Sequence, residues 1–172
     1  MVGDSLSILK LSLILLIELV LQSTVFQFLN FHGIYPDLVL ITLICYSIIL
    51  GKQYSYKLGV IIGLLFDIMF GNIIGIYALS FLVTAYLISV ISSNMFKESL
   101  LAPISVFPIG VIINHSVIYL ITYLLRINIS LIEYITQFNI IYWVVNIITM
   151  LIAYPLILKF IKRYILKSHT RS

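Results

Sequence analysis

The sequence predicts an all-α, polytopic integral membrane protein: a bundle of six transmembrane helices, with a five-helix variant left open. Three observations predict it. Of 172 residues, 62% are hydrophobic and 9% charged, where ordinary soluble domains carry roughly a quarter of charged residues. Mean hydropathy is +1.19. The apolar residues also fall in long runs separated by short polar breaks, none long enough for a soluble domain. The chain therefore reads as a single transmembrane domain, 1–172, ending in a basic cytoplasmic tail over 161–172.

The first apolar run, about 6–31, contains Lys10, Glu18 and Gln22 and has no small-residue cleavage site after it, so it reads as an uncleaved span. Pro36-Asp37 opens the second, about 36–50: a proline suits a helix start, and a carboxylate in the first turn meets the positive end of the helix dipole. The third, about 58–70, follows Lys52 and Lys57. These two runs are short, since fifteen residues cover roughly 23 Å of a hydrocarbon core about 30 Å thick. They stand upright, thin the bilayer or continue into neighbouring loops. The remaining runs, about 73–91, 100–125 and 138–160, complete the bundle.

Six spans with both termini in the cytoplasm leave only Arg126 of the 10 lysines and arginines outside, which is the expected positive-inside asymmetry. The net charge of +4 does not point to nucleic acid, because the cations crowd the C-terminus: Lys159, Lys162, Arg163, Lys167 and Arg171. Such a cluster beside a membrane helix reads as a tail lying on anionic lipid.

Asp67 is the most informative residue. Gly59, Gly63, Asp67, Gly71 and Gly75 recur every fourth position in an apolar stretch, a spacing that puts the first three on one helix face. Glycines there admit a second backbone, and a carboxylate in hydrocarbon is costly unless it meets a partner or a wet cavity. This face is expected to pack against protein, with Asp67→Asn tolerated better than Asp67→Leu. Glu18 and Gln22, four apart, share a face of the first helix, either as a polar seam to another helix or as groups hydrogen-bonded within the bundle. Asn114-His115 and the stripe Asn139, Tyr142 and Asn146 bond between helices or line a cavity.

Nothing here assembles a reaction centre. His32, His115 and His169 are far apart, Cys45 stands alone, and no phosphate-binding loop or nucleophile turn occurs. The expectation is no enzyme, no cofactor and no metal.

Tyr35-Pro36-Asp37-Leu38-Val39-Leu40, then Gly59-x-x-x-Gly63-Leu64-x-x-Asp67, Gly71, Gly75 and Ala78, with Pro103 and Ala153-Tyr154-Pro155 further on, resembles the MreD family of rod shape-determining membrane proteins. The resemblance covers nearly the whole chain. It implies a non-enzymatic component of the elongation (rod) complex in the bacterial cytoplasmic membrane, supporting cell shape and lateral peptidoglycan synthesis. Its implied partners are an MreC-like bitopic protein, the MreB filament, RodA and a class B penicillin-binding protein; membrane lipids are expected beside them, and association with a second copy of itself is left open. Helix-packing or partner contacts would fall to Glu18, Gln22, Pro36, Asp37, Gly59, Gly63, Asp67, Gly71, Gly75, Asn114 and His115. Asn114-His115 stands where the family often carries glutamate, so an acidic role there is lost or passes to neutral groups. The alternative is the substrate-binding membrane component of an energy-coupling-factor vitamin transporter, similar in size and hydropathy. Such proteins usually carry Ala-x-x-x-Ala in the first helix, where this chain reads Ser12-Leu-Ile-Leu-Leu16-Ile-Glu18.

Overall fold

A computed structural model of the chain describes residues 2–28, 36–71, 73–97, 99–127 and 139–163. It is all-helical over these residues. The elements are α1 (Val2–Phe28), α2 (Leu38–Leu50), α3 (Lys52–Phe70), α4 (Ile76–Ile91) running into a 3-10 turn (Ser92–Asn94), α5 (Leu101–Leu124) and α6 (Ile140–Ile161).

Among the described residues, the shortest α-helix, α2, is the centre of the packing. A helix that is apolar all round has no face to offer water and belongs inside a protein or in lipid. In α2, Leu-Val-Leu-Ile-Thr-Leu-Ile-Cys-Tyr-Ser-Ile-Ile-Leu, every residue from Val39 to Ile49 is buried, and α1, α3, α4, α5 and α6 all pack on it. Its 13 residues cover only about 20 Å, which disqualifies it as an ordinary lipid-facing span and suits it to be a core. Among the described residues, three segments, Ile76–Asn94, Leu101–Leu124 and Ile140–Ile161, are long and apolar enough to cross a membrane by length and composition.

Several boundaries differ from those read in the sequence. α3 begins at Lys52 rather than at Leu58, so the basic stretch taken for a loop is helical, and Gly51 alone, at φ +78°, separates α2 from α3. Ser55 donates its hydroxyl to the Gly51 carbonyl at 2.6 Å, anchoring that first turn. The third run thus resolves its shortness by continuing into the neighbouring loop. α1 starts earlier, at Val2, while α4 starts later, at Ile76, because residues 73–75 form the turn joining it to α3.

On the other side of α2, α5 and α6 meet through side chains. Phe107 and Trp143 stack edge to face with centroids 6.4 Å apart, and Cys45 Sγ lies 3.5 Å from Met150 Sδ across the α2–α6 contact. Pro103 occupies the first turn of α5, where its missing N–H costs nothing. Pro108 and Pro155 lie inside α5 and α6, where each removes one helical hydrogen bond.

Candidate functional site

The glycine strip of α3 is a helix crossing. A Cβ placed on Gly59 would sit 2.6 Å from the Phe81 carbonyl oxygen, and one on Gly63 would lie 2.7 Å from the Tyr77 carbonyl oxygen and 2.8 Å from the Ala78 nitrogen. These are backbone atoms of α4 and cannot swing aside. Ala78 and Ala85 keep the opposing face low, both buried. Around the crossing, Phe66 packs on Tyr77 at 4.5 Å and on Phe81 at 5.8 Å between ring centroids.

One turn beyond Gly63, Asp67 is 1% exposed and closes the start of α4. The first N–H groups of any helix lack an intrahelical acceptor. Gly75, at φ +112° in the left-handed region, precedes α4 and offers no side chain to cap it. Asp67 supplies the acceptors instead: Oδ2 takes the Gly75 N–H at 2.8 Å and the Ala78 N–H at 3.0 Å, and Oδ1 takes the Tyr77 N–H at 2.9 Å. A carboxylate at the positive end of a helix dipole is also favoured by its charge. Gly71 ends α3, its N–H bonded to the Asp67 carbonyl at 2.8 Å. Of the five-point series read in the sequence, Gly59, Gly63 and Asp67 belong to α3, and Gly71 and Gly75 bound the turn. The partner of this face is the chain's own α4.

A second polar knot surrounds the start of α2. Asp37 Oδ1 accepts from the Leu40 N–H at 3.2 Å and from Gln22 Nε2 at 3.3 Å, while Gln22 Oε1 accepts the Val39 N–H at 3.1 Å. The Asp37 N–H donates to Asn146 Oδ1 at 2.9 Å, and Asn146, fully buried, donates onward to the Tyr142 carbonyl. Three helices thus meet at the residue after Pro36. Glu18 lies one turn from Gln22, beside Thr42 of α2. Its Oε2 has no hydrogen-bond partner among the described residues.

Compared with known protein families, the chain matches that of the rod shape-determining protein MreD over residues 5–164. The chain belongs to the MreD family. Searches of curated proteins and of solved structures returned no match.

Within this MreD-family chain the remaining sequence-selected residues separate. Asn114, 2% exposed, joins α5 to α4: Ser80 donates its hydroxyl to the Asn114 side-chain oxygen and, at 3.0 Å, to its carbonyl, and Thr84 reaches the side-chain oxygen at 3.5 Å. His115 is half-buried on the adjacent face. Asn139 caps α6, accepting the Tyr142 N–H at 2.8 Å, so the Asn139–Tyr142–Asn146 stripe divides between a cap and the α2 knot. Lys159, Lys162 and Arg163 are exposed at the end of α6, around an open groove with Pro155 and Leu158, and Lys167 lies outside the described residues.

Sequence reasoning missed four participants. Ser80 and Thr84 were legible as hydroxyls one turn apart in an apolar helix. Lys97 was not: its ammonium donates to the Ile49 carbonyl at 2.9 Å, closing the other end of α2, and the Tyr154 hydroxyl donates to the Lys97 carbonyl at 2.6 Å. No spacing rule connects a loop lysine to a carbonyl 48 residues earlier.

Proposed function

We propose that this rod shape-determining membrane protein acts as a non-enzymatic scaffold of the elongation machinery. It would sit in the bacterial cytoplasmic membrane with both termini inside, holding an MreC-like membrane-spanning protein and the wall synthases that work beside it. The observation that carries this is the family match over nearly the whole chain. The geometry supports it in kind. Asp67, Asp37, Gln22, Asn114 and Asn146, the groups that could have served chemistry or transport, are each engaged in joining one helix to another. That is how a fixed shape is held where hydrophobic driving force between helices is weak. A partner would then meet the outer apolar surfaces, and the polar interior would keep those surfaces in register.

Isolation of the full-length protein from its own membranes in mild detergent, followed by mass spectrometry, tests the reading. Wall-synthesis subunits are the expected companions. Recovery of the subunits of a vitamin transporter in their place would overturn it.

A further inference from the structure

Helix α6 has two faces of opposite kind. One, with Asn146, Met150, Tyr154 and Ile161, is buried against the rest of the bundle. The other carries Ile148, Ile152, Pro155 and Lys159 at spacings of four, three and four, which makes them one continuous strip of helix surface. Ile148 is 53% exposed and Ile152 60%, and Pro155 and Lys159 are exposed with them. The strip changes from apolar to cationic at its end, where Pro155 and Leu158 give way to Lys159, Lys162 and Arg163 around the open groove.

These cations stand on a turn that the bundle holds in place. Ile161, among them in the sequence, is fully buried in the core, and the Lys162 N–H donates to the Leu158 and Lys159 carbonyls. One turn back, the Tyr154 hydroxyl ties α6 to the Lys97 carbonyl at 2.6 Å. A single cation is enough to meet the negative end of a helix dipole. Three in one groove exceed that need and form an anion-attracting patch beside the membrane. Of the acidic side chains described, Glu18, Asp37 and Asp67, none lines the groove.

The length of the strip matches one lipid leaflet. From Ile148 to Lys159 it covers about 16 Å at 1.5 Å per residue, against about 15 Å for half of a hydrocarbon core. An acyl chain can therefore lie along Ile148, Ile152 and Pro155 while its phosphate meets the cations, whereas a soluble anion would use the cationic end alone. We propose that this face of α6 is a binding site for one anionic phospholipid, and that it prefers a headgroup with two phosphates to one with a single phosphate. Two phosphates joined through one glycerol each meet a cation and leave less of the positive charge uncompensated, and basic pockets at the membrane ends of helices are known to take such headgroups. The site is independent of which proteins the chain meets.

The test uses the full chain, stripped of lipid in mild detergent, with diphosphatidylglycerol, phosphatidylglycerol or phosphatidylcholine added, and reads bound lipid by native mass spectrometry. Diphosphatidylglycerol should bind about fivefold more tightly than phosphatidylglycerol, the gain expected from one further phosphate meeting one further cation. Joint replacement Lys159→Gln, Lys162→Gln and Arg163→Gln should weaken its binding roughly a hundredfold. Lys10→Gln, Lys52→Gln and Lys57→Gln together remove the same charge from α1 and α3 and should leave binding nearly unchanged. Equal losses in the two triple variants would overturn the proposal, because net charge alone would then attract the lipid. Displacement of the lipid by an equal concentration of inorganic pyrophosphate would overturn it too, by showing a site for phosphate without a role for the acyl chain. A second measurement needs no loss of charge: diphosphatidylglycerol with a diazirine on an acyl chain should label the unsubstituted chain between Val144 and Pro155. Labelling spread evenly over α1, α5 and α6 would count against a site on α6.

Discussion

Helices α2 and α4 both begin with N–H groups that are closed from within the protein, and they solve the same problem in different ways. The α2 end is closed by its own N-cap: Asp37 accepts from Leu40 three residues on, and Gln22 and Asn146 add acceptors for the Val39 and Asp37 N–H groups. The α4 end is closed by a residue of the preceding helix, from 8 to 11 residues away, using both carboxylate oxygens for three donors. A local cap holds one helix; a remote cap also holds two helices together. Losing Asp37 leaves other acceptors around α2, whereas losing Asp67 strips α4 and releases the α3–α4 crossing at once.

The strongest break of this contrast is Asp67→Leu. Three donors, one buried and two part-buried, lose their acceptor together, at up to about 1 to 3 kcal/mol each, so the variant should lose roughly 3 kcal/mol or more. Thermal unfolding in detergent should show the loss, and the amides of residues 75, 77 and 78 should exchange fastest. An unchanged midpoint would mean that the cap contributes nothing. Gly63→Leu attacks the same crossing from its other end. Its Cβ meets fixed backbone of α4, an overpacking of about 1 to 3 kcal/mol, and should yield less folded protein. Retention of wild-type stability and wild-type cell shape in Gly63→Leu would show that the crossing can open without harm.

Asparagine at the two caps sharpens the comparison. At Asp37 the one oxygen Oδ1 makes both side-chain contacts, and an amide can keep its oxygen there. At Asp67 both oxygens accept from N–H groups, so an amide places an N–H₂ against at least one donor. The order expected from the sequence, Asp67→Asn tolerated better than Asp67→Leu, is kept as a prediction, with a cost now attached to Asn. Asp67→Asn should cost about 1.5 to 3 kcal/mol, as for a hydrogen bond to a charged group, and Asp37→Asn well under that. The pair should be measured side by side by thermal unfolding; equal losses would contradict the difference in oxygen use.

These two caps also mark how far the sequence could be read. Asp37 was legible because its role is local: a carboxylate after proline, before an apolar run, has one obvious use. Gly59 and Gly63 were legible as a small-residue strip, since the four-residue repeat fixes a helix face whatever it meets. Asp67 was recognised as buried and partnered, but its partner was not, because α4 starts beyond a turn whose position no repeat reveals. The four-residue repeat continues through Gly71 and Gly75 across that helix end, so it carries no information about what Asp67 meets. The centrality of α2 was hidden by its length, which marked it as a weak span when it is the core that the others surround. Apolarity on every side, rather than length, carried that information.

The opposite end of α2 offers the smallest effect and the finest test. Its last carbonyls have no intrahelical donor, and Ile49 receives one from the Lys97 ammonium at 2.9 Å. A cation there also complements the negative end of the dipole, for about 0.3 to 1 kcal/mol. Lys97 is itself largely exposed, so water can replace much of what it gives. Lys97→Met keeps the length of the side chain and removes the donor and the charge. It should lower stability by about 0.5 kcal/mol, within the dipole range, with the loss shrinking further as salt screens the exposed charge. The Tyr154 bond to the Lys97 carbonyl should persist, because it uses backbone and not the altered side chain. A loss as large as that of Asp67→Leu would show that α2 depends on its exposed cation as heavily as α4 depends on its buried carboxylate, and the distinction between local and remote closure would fail.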